Sequence, residues 1–519
     1  MARINSNIAS LIAQSNLKKS NEDLELRLSR LATGLRVNRG ADDPAGLIVS
    51  ERLRSELRGI DQGIKNSERA GNVIATTEGA LAEVSELLNS IKALVVEAAN
   101  TGAFSKEEIE ANQLQIDSAI ESITRIANTT SFAGLKLLNG SLSYRTSGLD
   151  PAAIVKPTIY GVGFGDRASV DVRVEVLGSA QTAQLFLRTD FGATAPPGGV
   201  NGVLPSSVTL ELAGPTGVEE LTFISGTTAD AIITAINSRT GTTGLRAERV
   251  TAGPGGVSSG IVVQSVGYGS DAFVSVKALS GGDELVFARL ENDAPGPIDW
   301  TDTASWTQAL TDRGRDVSVL INGALATGRG LNVTLRNPDL DISMLLTEDF
   351  ATTVDGTPEV FVITGGGAKF QLGPQVSAQQ QINVGINSIG ATRLGGTLVT
   401  LGDGVSQELQ FLSSLKSGGD NGLSRGNLAN ASRVLETAID EVAGLRGRLG
   451  ALERNVLQTN IRSLEAGLEN ITASESVIRD ADFAVETSRL TRSQILVQAG
   501  TAVLATANTN AQQVLSLLG

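Results

Sequence analysis

The sequence predicts a multidomain α+β fold in which helices from the two chain ends pair into a coiled-coil inner core and the middle of the chain forms β-rich outer domains. Three observations predict it. Apolar residues recur every three or four positions at both ends. Between about 145 and 360 the pattern changes to alternation and β-branched runs punctuated by Gly and Pro. A chain of 519 residues is also long enough for roughly three domains, each with its own core.

The first helix is read from Ile4, Ile8 and Leu11, then Leu24, Leu28, Leu31 and Leu35, whose spacing puts them on one helical stripe. It breaks between Gly34 and Gly46, where Gly40, Asp42, Asp43 and Pro44 cluster as turn formers. Asp42 and Asp43 read as caps for the following helix, whose first turn favours negative charge. A second helix keeps the heptad rhythm Leu81, Val84, Leu88, Ile91, Val95, Ala98. A third begins at Ser105, with Glu108 three residues on in capping-box register, and carries Ile109, Ile116, Ile120 and Ile123.

In the middle, Val170 to Val176 alternates apolar and charged residues, which describes a half-buried strand. Pro196-Pro197-Gly198-Gly199 and Ala252-Gly253-Pro254-Gly255-Gly256 carry turn chemistry. A short helix is predicted over Thr228 to Arg239, with Ile232, Ile233 and Ile236 as its apolar face.

Helical periodicity returns near Asn427. Leu445, Leu449, Leu452 and Val456, then Leu457, Ile461, Leu464, Leu468 and Ile471, form a long heptad-like series. The last helix carries Leu490, Val497, Leu504, Ala507, Ala511, Val514 and Leu518, and from Ser493 onward it holds no charged side chain. Helices with one apolar stripe are marginal alone in water. The terminal stripes must therefore find partners, and the nearest are each other, which makes the chain a hairpin with its ends together and its middle outward.

Composition excludes much. The chain has no Cys and no His, which removes disulfides, thiol nucleophiles, imidazole bases and the commonest zinc sites, so no catalytic residue, metal or cofactor is expected. A formal charge of -14 opposes a nucleic-acid partner, whose phosphates bind Lys and Arg. The uncharged end does not read as a membrane span, because Gln494, Gln498, Thr501, Thr506, Asn508, Thr509, Asn510, Gln512 and Gln513 interrupt it. Met1-Ala2-Arg3-Ile4-Asn5-Ser6 lacks the character of a secretory signal peptide, so export is expected by another route.

The terminal segments resemble the paired terminal regions of bacterial flagellins over about the first 140 and last 150 residues. At the N-terminus the likeness rests on the run from Ile4 to Leu53, with Thr33-Gly34-Leu35-Arg36-Val37-Asn38 followed by Asp42-Asp43-Pro44-Ala45-Gly46. Family members typically have Ser and Ile where this chain has Thr33 and Val37. Ser131 to Gly140 is similar to the motif that ends the family's N-terminal core, and Glu475 to Gly519 to the family's C-terminus. Leu221 to Val250, with Ile236-Asn237 near its centre, resembles a β-rich repeat of flagellins and hook-associated proteins, and Phe370-Gln371-Leu372-Gly373-Pro374 the strand leading back to the core.

The resemblance implies a secreted structural subunit, not an enzyme, that polymerises into the extracellular flagellar filament for swimming motility. It implies five parts: 1–45 and 473–519 as the inner-tube helical domain, 46–145 and 361–472 as the helical core with its β-hairpin, and 146–360 as one or two variable outer domains. Ile4, Ile8, Leu11, Leu24, Leu28, Leu31, Leu490, Val497, Leu504, Val514 and Leu518 are the expected polymerisation residues, with ends that become ordered on assembly. Gly34, Leu35, Arg36, Asn38, Asp42, Asp43 and Gly46 are the expected interdomain turn. The helix bearing Leu88, Asn89, Ser90, Lys92, Leu94 and Glu97 corresponds to the surface recognised by innate flagellin receptors. Ser90 and Glu97 stand where stimulating members carry Arg and Gln, which implies weak activation. Implied partners are further copies of the chain, hook-associated junction and cap proteins, an export chaperone on the C-terminal helix and the flagellar type III export apparatus. The alternative reading is a hook-filament junction protein. An enzymatic insertion of the zinc-protease kind is ruled out by the absence of His.

Overall fold

A computed structural model describes residues 7–100, 102, 105–165, 167–188, 203–204, 206–250, 260–281, 285–290, 306–400 and 407–516. Ile4, Leu518, the Pro196–Gly199 run and the Ala252–Gly256 run lie outside them. In chain order the helices are α1 (Ile8–Thr33), α2 (Pro44–Ala98), α3 (Lys106–Thr129), α4 (Ala229–Asn237), α5 (Thr240–Thr243), α6 (Glu348–Thr352), α7 (Leu428–Leu452), α8 (Gln458–Arg479) and α9 (Phe483–Ser516). A π turn, Glu453–Leu457, joins α7 to α8. The chain divides into two compact units, one of residues 1–70, 371–381 and 454–519, the other of residues 71–370 and 382–453.

The first unit is helical. Gly34 ends α1 in the left-handed conformation (φ +73°), which glycine adopts without a Cβ penalty. The Leu372–Pro374 segment crosses α2 at Gly59 and Gly63, where a Cβ would come within 2.9 Å of the Pro374 Cβ and 3.0 Å of the Leu372 carbonyl oxygen. Bare backbone at these two positions lets the segment lie against the helix. Asn460 of α8 then ties the layer together, donating to the Leu372 carbonyl (2.9 Å) and to Ser67 Oγ on α2 (3.1 Å).

The second unit joins helices to β-sheets. Leu81, Val84, Leu88, Ile91, Val95 and Ala98 of α2 are buried, as are Ile116, Ile120 and Ile123 of α3 and Val434, Leu435, Ala438, Val442, Leu445 and Leu449 of α7. The expected capping box opens α3, with the Ser105 hydroxyl accepting from the Glu108 N–H and the Glu108 carboxylate accepting from the Ser105 N–H. On α3, Gln113 is buried and bonded at both ends of its amide, to the Leu415 carbonyl (2.8 Å) and from the Leu423 N–H (2.7 Å). A hairpin of Ser131–Phe132 and Leu135–Lys136 follows α3, turning through Ala133 (φ +48°) and Gly134 (φ +85°).

Two hydrophobic β cores follow, one inserted in the other. The outer frame of sequence builds a five-stranded sheet, in spatial order Ala324–Leu325, Ser318–Ile321, Val170–Gly178, Glu359–Gly366 and Tyr144–Ser147. A four-stranded sheet of Thr327–Arg329, Asn332–Arg336, Leu340–Leu346 and Ile154–Val162 belongs to the same core. The predicted strand is Val170–Gly178, with Val170, Val172, Val174 and Val176 buried and Asp171 and Arg173 exposed. Between Gly178 and Ser318 the chain builds a second core from the sheets Trp306–Gln308, Phe287–Leu290, Thr182–Arg188, Gly260–Tyr268, Leu245–Val250 and Thr311–Arg313, Phe273–Ser280, Val208–Gly214, Gly217–Phe223. It leaves and returns through one point, where Gln181 and Arg315 exchange backbone hydrogen bonds of 2.9 and 3.0 Å. The predicted short helix is α4, capped by Thr228, with Ile232 and Ile236 in the second core. Asn237 holds it to the next strand, pairing with both backbone groups of Ala247 (3.0 and 2.7 Å).

Candidate assembly surface

In the helical unit α1 and α9 run antiparallel: Asn7 donates to the Ala507 carbonyl (3.0 Å), Asp23 accepts from Ser493 (2.5 Å) and Arg27 meets Glu486 (3.1 Å). The positions of α1 turned inward are Ser10, Ala13, Leu17, Ser20, Leu24, Arg27 and Leu31, and those of α9 are Glu486, Leu490, Ser493, Val497, Gly500, Leu504 and Ala507. Both series step by three and four, which is the seam of an antiparallel coiled coil. Leu and Val alternate in it with small and polar residues. A Cβ on Gly500 would stand 3.2 Å from the Leu17 Cδ1, so glycine sets how closely the helices approach.

Charge fixes the register of this seam. Glu486 is 3% exposed and is clasped by Arg27 (3.1 Å) and Arg30 (3.3 Å), while Arg27 also reaches Asp23 (2.9 Å). A carboxylate taken this far from water persists only with such partners. The Ser493 hydroxyl, bonded to Asp23, and the neighbouring guanidiniums hold the Asp23 carboxyl below its ordinary range.

This arrangement corrects the reading of the α1 stripe. Leu24 and Leu31 are half-buried in the seam, but Ile8 (51% exposed), Leu11 (61%) and Leu28 stay exposed. The seam positions Ser10, Ala13 and Ser20 were invisible to a search for large apolar residues; a three-four spacing that admitted Ser, Ala and Gly would have found them. On α9 the expected Leu490, Val497 and Leu504 do lie in the seam, and Val514 falls within the helix. The other faces leave Phe483, Val485, Ile495 (60% exposed), Leu496 and Val503 uncovered. The helix pair thus completes one seam and exposes a second set of aliphatic side chains.

The expected turn is paired with a partner the sequence did not disclose. Leu35 bridges Asp480 in antiparallel fashion, Arg36 and Ala481 bond across it to Arg479 and Gly34 (2.6 and 2.9 Å), and the Arg36 guanidinium donates to the Ile478 carbonyl (2.6 Å). The two aspartates divide their work, where both were expected to cap α2. Asp43 caps it, accepting from the Gly46 N–H (2.9 Å), and a Cβ at Gly46 would meet that carboxylate at 2.5 Å. Asp42 instead closes the turn, accepting from the N–H groups of Asn38 (3.0 Å) and Arg39 (2.8 Å), and the Arg39 bond foremost lowers its pKa. On α2, Asn89, Ser90 and Glu97 are exposed and Lys92 and Leu94 half-buried, whereas Leu88 is fully buried beneath them and offers no surface. Lys92 pairs with Glu436 (3.3 Å).

Among the described residues no group of three or more acidic side chains could hold a metal ion, and no helix is long and apolar enough to cross a membrane.

Family models match three parts of the chain: the bacterial flagellin N-terminal helical region at residues 4–143, the bacterial flagellin C-terminal helical region at 433–518, and the flagellin hook IN motif at 209–266. The chain is 27% identical to the flagellin of Salmonella typhimurium and 29% identical to the B-type flagellin of Pseudomonas aeruginosa, in each case over 99% of both chains. The chain belongs to the flagellin family. Among solved structures it is similar to FliC from Burkholderia pseudomallei at 16% identity, covering 75% of this chain and 99% of that one, with a TM-score of 0.24, too loose a superposition to carry an argument. The flagellin terminal regions take in the α1–α9 seam, the Leu35–Asp480 turn and the exposed faces beside them. The hook IN motif of this flagellin takes in the second β core from its strand at Val208–Gly214 to its strand at Gly260–Tyr268, with Asn237 at its centre.

Proposed function

We propose that this flagellin is a structural subunit of the extracellular bacterial flagellar filament, exported and polymerised through its paired terminal helices, and that its family's role is mechanical, not catalytic. The observation that supports the reading is the set of aliphatic side chains that the α1–α9 pair leaves exposed, among them Ile8, Leu11, Ile495 and Val503. Aliphatic surface of this kind is costly in water and is covered most simply by further copies of the chain. Identical subunits joined without ring closure give an open helical polymer. In this reading the segments 1–45 and 473–519 form the inner tube, 46–145 and 361–472 the core around it, and 146–360 the outer surface. The terminal helices become ordered as subunits add. The charge-free run from Ser493 gives the tube a neutral wall along which an unfolded chain passes without electrostatic sticking. Junction and cap proteins at the filament ends, an export chaperone on α9 and the type III export apparatus complete the set of partners.

A hook-filament junction protein would share the terminal helices but stop at a short collar. The two readings separate when purified chain is added to filament seeds and watched by electron microscopy. Growth of long filaments is the expected result; short rings that never lengthen would assign the chain to the junction.

A further inference from the structure

The described part of the chain holds three Asn–Gly steps, Asn139–Gly140, Asn322–Gly323 and Asn421–Gly422, and a fourth, Asn201–Gly202, lies outside it. Such a step is open to attack of the glycine amide nitrogen on the asparagine side chain, because glycine has no Cβ to obstruct the approach. Sequence alone ranks the three equally. Their surroundings do not.

Asn322 is locked at both ends of its carboxamide: Oδ1 accepts from the Arg173 N–H (2.8 Å) and Nδ2 donates to the Asp171 carbonyl (3.0 Å). Asn421 is 2% exposed and its Nδ2 donates to Ser414 Oγ (2.8 Å). Asn139 is exposed. Its Oδ1 accepts from the Ser141 N–H (3.0 Å), and among the described residues nothing holds its Nδ2. That one bond folds the side chain back over the Gly140 peptide and places a donor on the oxygen that becomes negative when Cγ is attacked. The group that must leave is the one left free.

We propose that Asn139 is a site of spontaneous modification, converting through a cyclic imide to aspartate and isoaspartate in the folded chain while Asn322 and Asn421 are protected. The Gly140 nitrogen loses its proton and bonds to Asn139 Cγ; the Cγ–Nδ2 bond breaks and Nδ2 departs with protons as ammonia. Water then opens the ring. Cleavage of the bond from the Gly140 nitrogen to Cγ gives aspartate, and cleavage of the bond to the Asn139 backbone carbonyl carbon gives isoaspartate, whose main chain runs through Cβ. The net change is one water consumed and one ammonia released.

The step sits where such a change is felt. Leu138 and Leu142 on either side of it accept the backbone N–H groups of Ile389 (3.1 Å) and Ile386 (3.0 Å), and a Cβ at Gly140 would lie 3.2 Å from the Ser388 Cβ. Asn139 and Gly140 also line a cavity of about 840 Å³ beside Lys156, Arg393 and Glu441. Isoaspartate lengthens the backbone inside this tie, and either product adds a negative charge at the cavity wall.

The test is peptide mapping by mass spectrometry of the purified full-length chain, aged in mildly alkaline buffer made with heavy-oxygen water, so that each conversion is labelled. Asn139 is expected to convert about tenfold or more faster than Asn322 and Asn421 in the folded chain, as loss of even one or two holding hydrogen bonds would allow. In denaturant the three rates should converge. The Asn139→Gln variant should lose the label from its own peptide and leave the other two unchanged. A folded-state rate at Asn139 no greater than at either other step, or a ranking that survives denaturation, would overturn the proposal.

Discussion

Glu486 is the residue on which the terminal pairing turns. It comes from α9, yet two of its partners, Arg27 and Arg30, belong to α1, so one carboxylate sets the register of the pair. Removing a buried partner leaves the opposite charges uncompensated, which commonly costs more than the pair is worth. Glu486→Gln is therefore expected to destabilise the helix pair by about 3 kcal/mol per subunit, read as a lower midpoint for the heat dissociation of filaments. An unchanged midpoint would mean that apolar contacts alone set the register. The same melt followed into acid reports Asp23. Its folded pKa lies below the ordinary value of 3.8, so its contribution is complete above that value and is lost as pH falls through the lowered one. The sequence did not point to either acid, because a charge in a seam looks, residue by residue, like a charge on a solvated face.

At the level of elements, the apolar rhythm located most helices, and its failures have physical causes. The α1–α9 seam mixes Leu and Val with Ser, Ala, Gly and charged residues, so a search for large apolar side chains found only part of it and added the exposed Ile8, Leu11 and Leu28. The long C-terminal series stumbled between Val456 and Leu457, two adjacent positions claimed by one stripe. The π turn Glu453–Leu457 lies there: it takes in one extra residue and carries Leu457, 1% exposed, back to the buried side. Local chemistry was easier to read than packing. The Ser105–Glu108 box is formed as expected, and backbone and hydroxyl bonds from Ser105 lower the Glu108 pKa. Ser105→Ala should cost the second unit about 1 kcal/mol, measured as a shift in its chemical denaturation midpoint; Ser105→Thr should recover most of it.

Across the whole molecule, the alternation of strands was legible but their partners were not. Val170–Gly178 pairs with Ser318–Ile321 and Glu359–Gly366, and no local pattern encodes contacts so distant in sequence. For the same reason the β region read as one or two domains, while the structure forms two cores, the second inserted between Gly178 and Ser318 of the first. The α1–α9 pair leaves Ile8, Leu11, Ile495 and Val503 uncovered after the two helices have met, and these side chains are the basis for proposing polymerisation through the ends. The most direct test is seeded elongation by a chain lacking residues 1–33 and 483–519, with circular dichroism to establish that the remainder folds. The predicted result is a folded protein that adds to no filament; normal filaments grown from the trimmed chain would contradict the account.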